Sequence, residues 1–266
     1  LTSVQITPRQ RPVVLLHGWT MRGSIFDDLV ARLPAEFDCH APDLPGHGER
    51  AMIEPSLEAA ANALADVLEA QDLRDVVLVG WSMGAAVAWQ FIEQFGADRI
   101  AGLMTVDMSP KLGCNADWPH GLIDQGEDDL NMTTARMIAD WPGMTEAIAT
   151  TMFARRDGAP GYSRQEALDQ ILTNDPARMI AMWEALVEMD RRELIGQLPC
   201  PLLASCGERS RVYPKSAAEW LARTAPRGRM HVFEDSGHSP HLEEPEAFAR
   251  TLVDFAGSLE LSANAG

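Results

Sequence analysis

Six short runs rich in leucine or β-branched residues alternate with stretches whose apolar residues recur at helical spacing, and this alternation limits the possible folds more than any other feature. The runs are Val13 to Leu16, Phe37 to Ala41, Val76 to Val79, Ile100 to Val106, Leu202 to Ser205 and Met230 to Phe233. Between them, Ile25 to Leu33, Leu57 to Ala70, Ala85 to Phe95, Ser216 to Thr224 and Glu246 to Leu259 carry the helical period. Near-continuous apolar strands are buried on both faces, and parallel strands joined by helices cross over right-handed. The pattern therefore predicts an α/β fold, a doubly wound and mostly parallel sheet covered by helices. Val4 to Ile6 is a candidate edge strand, and Ser258 to Gly266 reads as a frayed tail.

The alternation breaks once, because nearly a hundred residues separate Val106 from Leu202. Pro119, Pro142-Gly143, Pro160-Gly161 and Asn174-Asp175-Pro176 divide this interval into predicted helices near Ile123 to Asp129, Thr133 to Asp140, Thr145 to Phe153, Arg164 to Leu172 and Ala177 to Met189. The expected organisation is a core of residues 1–110 and 199–266 with a helical lid of residues 111–198. Such an insertion covers the carboxyl ends of the strands, where open α/β sheets bind ligands. Its methionines and tryptophans either fill a small core of its own or line an adaptable apolar cleft. Trp81, Trp118, Met132, Met137, Trp141 and Met182 are the candidate pocket residues.

Charge narrows the partners. Lys and Arg total 22 against 39 Asp and Glu, a net charge of −17, which repels nucleic acid and anionic membrane surfaces. No apolar run approaches the roughly 18 residues of a membrane span, and Leu1 to Arg11 lacks a signal-peptide pattern, so a cytoplasmic protein is expected. Cys39, Cys114, Cys200 and Cys206 lack metal-ligand spacing and read as free thiols. Without a metal constellation or a phosphate-cradling glycine loop after a strand, no cofactor is implied.

Chemistry enters at Gly80-Trp81-Ser82-Met83-Gly84, set between the run ending at Val79 and the helical stretch from Ala85. A serine between strand and helix sits on a turn so sharp that its neighbours two residues away must be small. The hydroxyl is then presented at the end of the sheet, but it needs a base to become a nucleophile. His238, in Glu234-Asp235-Ser236-Gly237-His238 just beyond the last run, is the candidate base. His241 follows Pro240 and reads as packing or polar support. His17, His40, His47, His120 and His231 are taken as structural.

Ser82, His238 and His17-Gly18-Trp19 together resemble the α/β-hydrolase family along nearly the whole chain. The resemblance implies an oxyanion site from the backbone N–H groups of Trp19 and Met83. It also implies that Asp43-Leu44-Pro45-Gly46-His47-Gly48 is a turn in which Asp43 and the glycines serve backbone geometry. Within the family, the elbow, His17-Gly18-Trp19, and Ser109-Pro110 followed by Asp117-Trp118-Pro119 resemble the esterases that demethylate pimeloyl-acyl-carrier-protein methyl ester.

One part departs from the family pattern. The segment Gly207-Glu208-Arg209-Ser210-Arg211-Val212-Tyr213-Pro214 matches the loop that usually supplies the triad's acid, and the expected aspartate is Ser210. Asp107, directly after Val106, is the proposed replacement, since some family members carry their acid after this earlier strand. Glu208 is its rival, and a turn-forming role is the plainer reading of Asp107. The expected activity is a cofactor-free serine carboxylesterase acting on a small-molecule ester with an apolar acyl part. Alternatives are a thioesterase or an esterase for an ester on an acyl carrier protein, for which Arg155, Arg156 and Arg164 would form a local basic site. A cofactor-free haloperoxidase or perhydrolase, and a non-catalytic receptor, complete the set.

Overall fold

A computed structural model describes residues 11–259. The candidate strand at Val4 to Ile6 and the tail beyond 259 lie outside the described residues. The core begins with β1 (Arg11–Leu16), a short 3-10 turn, α1 (Asp27–Arg32), β2 (Phe37–His40), α2 (Leu57–Ala70), β3 (Val76–Trp81), α3 (Met83–Phe95) and β4 (Ile100–Val106). The intervening segment contains α4 (Glu127–Ala139), α5 (Trp141–Thr151), a hairpin of β5 (Gly158–Ala159) and β6 (Tyr162–Ser163), α6 (Arg164–Leu172), α7 (Pro176–Glu188) and α8 (Arg192–Ile195). The chain then completes the core with β7 (Leu202–Gly207), α9 (Lys215–Thr224), β8 (Gly228–Phe233), α10 (Pro240–Glu243) and α11 (Pro245–Gly257).

The six core strands form one sheet in the order β2-β1-β3-β4-β7-β8, and every pairing is parallel. From β1 the chain winds outward to β2, then returns past β1 to begin β3. The order therefore reverses between β1 and β3, and the crevice at their carboxyl ends is where a doubly wound sheet binds ligands. The central strands are apolar throughout because helices cover both faces. Val13 to Leu16 and Val76 to Val79 have no exposed surface.

Local chemistry fixes the helix starts. Ser56 Oγ accepts the Ala59 amide at 3.0 Å to start α2, Asp175 accepts from Arg178 at 3.0 Å ahead of Pro176, and Ser163 with Glu166 forms a reciprocal capping box on α6. The first inserted helix differs from expectation. Two helices at Ile123 to Asp129 and Thr133 to Asp140 were predicted, but one runs from Glu127 to Ala139. Asp129 Oδ2 accepts the Gly126 amide at 2.9 Å and starts the helix there. Upstream, Leu122 N–H donates to Leu112 O and Cys114 N–H to Gln125 O, both at 2.8 Å, which holds this stretch as a loop.

Candidate active site

The sharp turn predicted at Ser82 is present. Ser82 lies between β3 and α3 with φ 51° and ψ −120°, a backbone conformation that non-glycine residues rarely adopt. A Cβ on Gly84 would stand 2.1 Å from Leu16 O, and one on Gly80 would stand 2.5 Å from Ala85 N, so the elbow closes only with hydrogen at both positions.

Strand register then delivers the carboxylate. Trp81 lies beside Val106, and Val106 beside Ser205. Beyond the strands, Ser82 N–H donates to Val106 O at 2.9 Å and Asp107 N–H to Ser205 O at 2.8 Å. Asp107 itself turns with φ 48°, leaving the strand direction at once. Its Oδ2 accepts His238 Nδ1–H at 2.6 Å, and both side chains are buried. Glu208 is instead exposed and bound to Lys215 Nζ at 2.8 and 3.0 Å. Ser210, where the acid was first expected, donates its Oγ–H to Asp107 Oδ2 at 2.6 Å.

The loop carrying His238 is held from several sides. Trp81 Nε1–H donates to His238 O at 2.7 Å. Glu243 accepts from Gly237 N–H at 2.8 Å, Ser239 N–H at 3.2 Å and, across from the inserted segment, Ala154 N–H at 2.6 Å. Burial pushes the Glu243 carboxyl above its ordinary range, against the pull of those three backbone donors. Glu244 accepts from Ser236 Oγ–H at 2.6 Å and Asp235 N–H at 3.0 Å. Sequence reasoning missed both glutamates. Their only signal was a pair of acids at the helix start after His238, and such pairs usually face solvent.

Two buried histidines shape the loop at Trp19. His17 Nδ1–H donates to Gly18 O at 2.8 Å while Nε2 accepts from Leu44 N–H at 3.0 Å. His47 Nδ1–H donates to Pro45 O at 3.0 Å and its Nε2 accepts from Thr20 N–H at 3.2 Å. Each ring needs one protonated and one bare nitrogen, so both are neutral. Burial, with the neighbouring His47, brings the His17 pKa down to about 3, and burial brings that of His47 down to about 4. Asp43 accepts from Gly23 and Glu49 amides, each at 2.7 Å, which fixes the adjoining turn.

Ser82 and His238 open into one cavity of about 290 Å³. Its floor is Gly18, Trp19, Trp81, Ser82, Met108 and His238. Its walls come from α4 (Thr133, Met137), α5 (Met144, Ile148), Met152, α7 (Trp183, Leu186) and the loops holding Leu112, Leu122, Arg211 and Tyr213. Trp81 and Met137 therefore line it, whereas Trp118, Met132, Trp141 and Met182 do not. Met132 is 50% exposed because it sits two residues from the inward-facing Leu130, on the far side of α4. Trp118 donates Nε1–H to Lys111 O at 3.0 Å and packs edge-on against Trp220, which turns it away. Met182 is fully buried in the packing of α7, and its neighbour Trp183 takes the cavity position. Trp141 stands behind Trp19, with ring centroids 6.0 Å apart.

Fold and elbow together define a class, and residues 13–251 match the model of the α/β hydrolase family, to which this chain belongs. It is 32% identical over 253 residues to the pimeloyl-[acyl-carrier protein] methyl ester esterase of Vibrio vulnificus, covering 92% of this chain and 94% of that protein. The enzyme of the same name from Vibrio cholerae is 30% identical over 259 residues, covering 95% of this chain and 96% of that protein. Among solved structures, the esterase EaEST of Exiguobacterium antarcticum superposes with a TM-score of 0.85 at 25% identity, over 95% of this chain and 94% of that one. Among the described residues, no helix is long and apolar enough to cross a membrane.

Proposed function

We propose that this ester-hydrolysing enzyme works through an acyl-enzyme on Ser82, with His238 as general base and Asp107 as the orienting acid. The observation that carries this reading is the 2.6 Å contact between His238 Nδ1 and Asp107 Oδ2, made beside the cavity that Ser82 and His238 share. With Nδ1–H given to the carboxylate, the neutral imidazole has its basic lone pair on Nε2. That nitrogen takes the Ser82 proton as Oγ attacks the ester carbonyl, and returns it to the departing alcohol. The tetrahedral oxyanion is held by Met83 N–H, a first-turn amide of α3 with no partner inside its helix, together with Trp19 N–H. Water repeats the cycle on the acyl-enzyme.

Residues 111–198 act as the lid. The cavity it helps to enclose is at the small end of the roughly 300–1,000 Å³ usual for ligand sites, and its wall is mainly aliphatic, aromatic and thioether. Both features suit a short to medium apolar acyl group. The relatives' substrate favours a second reading, an ester carried on an acyl carrier protein. The lid's basic residues lend it limited support, since Arg155 is 3.6 Å from Asp157 and Arg164 is 2.6 Å from Glu146.

Hydrolysis of p-nitrophenyl esters of increasing acyl length tests the first reading. Turnover that peaks at one length and vanishes in Ser82→Ala supports it, and equal residual turnover in Ser82→Ala overturns it. The second reading is tested by Arg156→Glu on carrier-bound and free methyl esters: a selective loss on the carrier-bound ester supports docking, and equal rates refute it.

A further inference from the structure

The carboxylate of Asp107 is held unevenly. Its Oδ2 receives two hydrogen bonds of 2.6 Å, from His238 Nδ1–H and from Ser210 Oγ–H. Its Oδ1 is buried and has no protein partner among the described residues. Ser210 is itself directed, because its Oγ accepts the amides of Val212 at 3.2 Å and Tyr213 at 3.4 Å. With its lone pairs occupied by the backbone, the hydroxyl has its proton free for the carboxylate.

Resting on the triad reading above, we infer that Ser210 is a positioning residue for catalysis. It fixes Asp107 Oδ2 against His238 from the separate loop after β7. The physical need is plain. During turnover the proton moves at Nε2 while Nδ1–H stays on Asp107 Oδ2, and that single bond leaves the carboxylate free to turn about its Cβ–Cγ bond, a rotation that a second donor to the same oxygen stops. Ser210 is the other donor to that oxygen, and it comes from a separate loop. A capping hydroxyl that served only its own turn would need no partner at Asp107.

The test is kcat and KM on a p-nitrophenyl ester for wild type, Ser210→Ala and Asp107→Asn, each checked for folding by thermal melting. Loss of a hydrogen bond to a charged group predicts a fall of roughly 10- to 100-fold in kcat for Ser210→Ala, with KM within about twofold of wild type by the same principle. Asp107→Asn falls by about four orders of magnitude.

The outcomes separate the two levels of the reading. Asp107→Asn with near-wild-type turnover overturns the acid assignment, and the role of Ser210 falls with it. Asp107→Asn inactive while Ser210→Ala keeps wild-type kcat leaves the triad standing and refutes the positioning role. A fall in kcat with KM unchanged in folded Ser210→Ala supports the positioning role, whereas a rise in KM with kcat unchanged refutes it.

Discussion

Replacing His241 with leucine should make the stability of this protein less sensitive to acid. His241 lies in α10, wholly buried, with its ring 4.6 Å from that of Trp81, 5.0 Å from Phe26 and 6.0 Å from Phe248. Neither ring nitrogen has a hydrogen-bond partner among the described residues. Burial first, and the neighbouring His238 second, lower its pKa to about 3 from the ordinary 6.5. Between those values the unfolded chain binds a proton that the native chain does not. The contribution is therefore fully present above about pH 6.5 and is lost as pH falls toward 3. One group with this difference removes ~1.4 kcal/mol per pH unit, so acidifying from about pH 7.5 to 4.5 removes on the order of 3 kcal/mol. Leucine carries no such group. His17, His47 and the carboxylates titrate in both proteins and cancel in the comparison.

The assay is urea unfolding of wild type and His241→Leu at about pH 7.5, 6.5, 5.5 and 4.5. The difference in unfolding free energy should shift toward the variant by about 3 kcal/mol across the series, with little change above pH 6.5. A difference that stays constant with pH would show that His241 is protonated, or finds a partner, in the folded protein. The account of this site would then be wrong.

Three further outcomes follow from the same geometry. Gly84→Ala drives a Cβ to 2.1 Å from Leu16 O on a buried strand and should lower stability by about 3 kcal/mol, the upper end of the overpacking range; Gly257→Ala, with nothing within 4 Å, should leave the melting temperature nearly unchanged. Trp81→Phe removes the donor to His238 O and should lower kcat about tenfold with a modest loss of stability, measured by ester kinetics and thermal melting. Cys200 and Cys206, whose thiols burial pushes up to about 11 and about 12, should resist iodoacetamide at about pH 8 in the native protein and react in urea, as read by intact mass.

Asp107, Ser210 and the side chains of the inserted helices mark where the sequence stopped being sufficient. By itself the chain determined the parallel sheet, because apolar runs such as Val76 to Val79 are stable only when buried on both faces. It also determined the elbow, since a glycine at 80 and another at 84 satisfy a local steric demand that needs no knowledge of distant residues. His238 was legible from its place after the last strand. Asp107 and Glu208 were both legible as candidate acids, but which of the two carboxylates stands beside His238 required the tertiary structure. The side-by-side register of Trp81, Val106 and Ser205 aligns the strand ends, while Lys215 draws Glu208 outward. The inserted helices show the same limit from the other direction. Helical period tells which residues share a face, but α4 and α7 pack on more than one side. Whether a face closes the inserted segment's own core, as at Met182, or the cavity, as at Trp183, is settled only by where neighbouring helices come to rest.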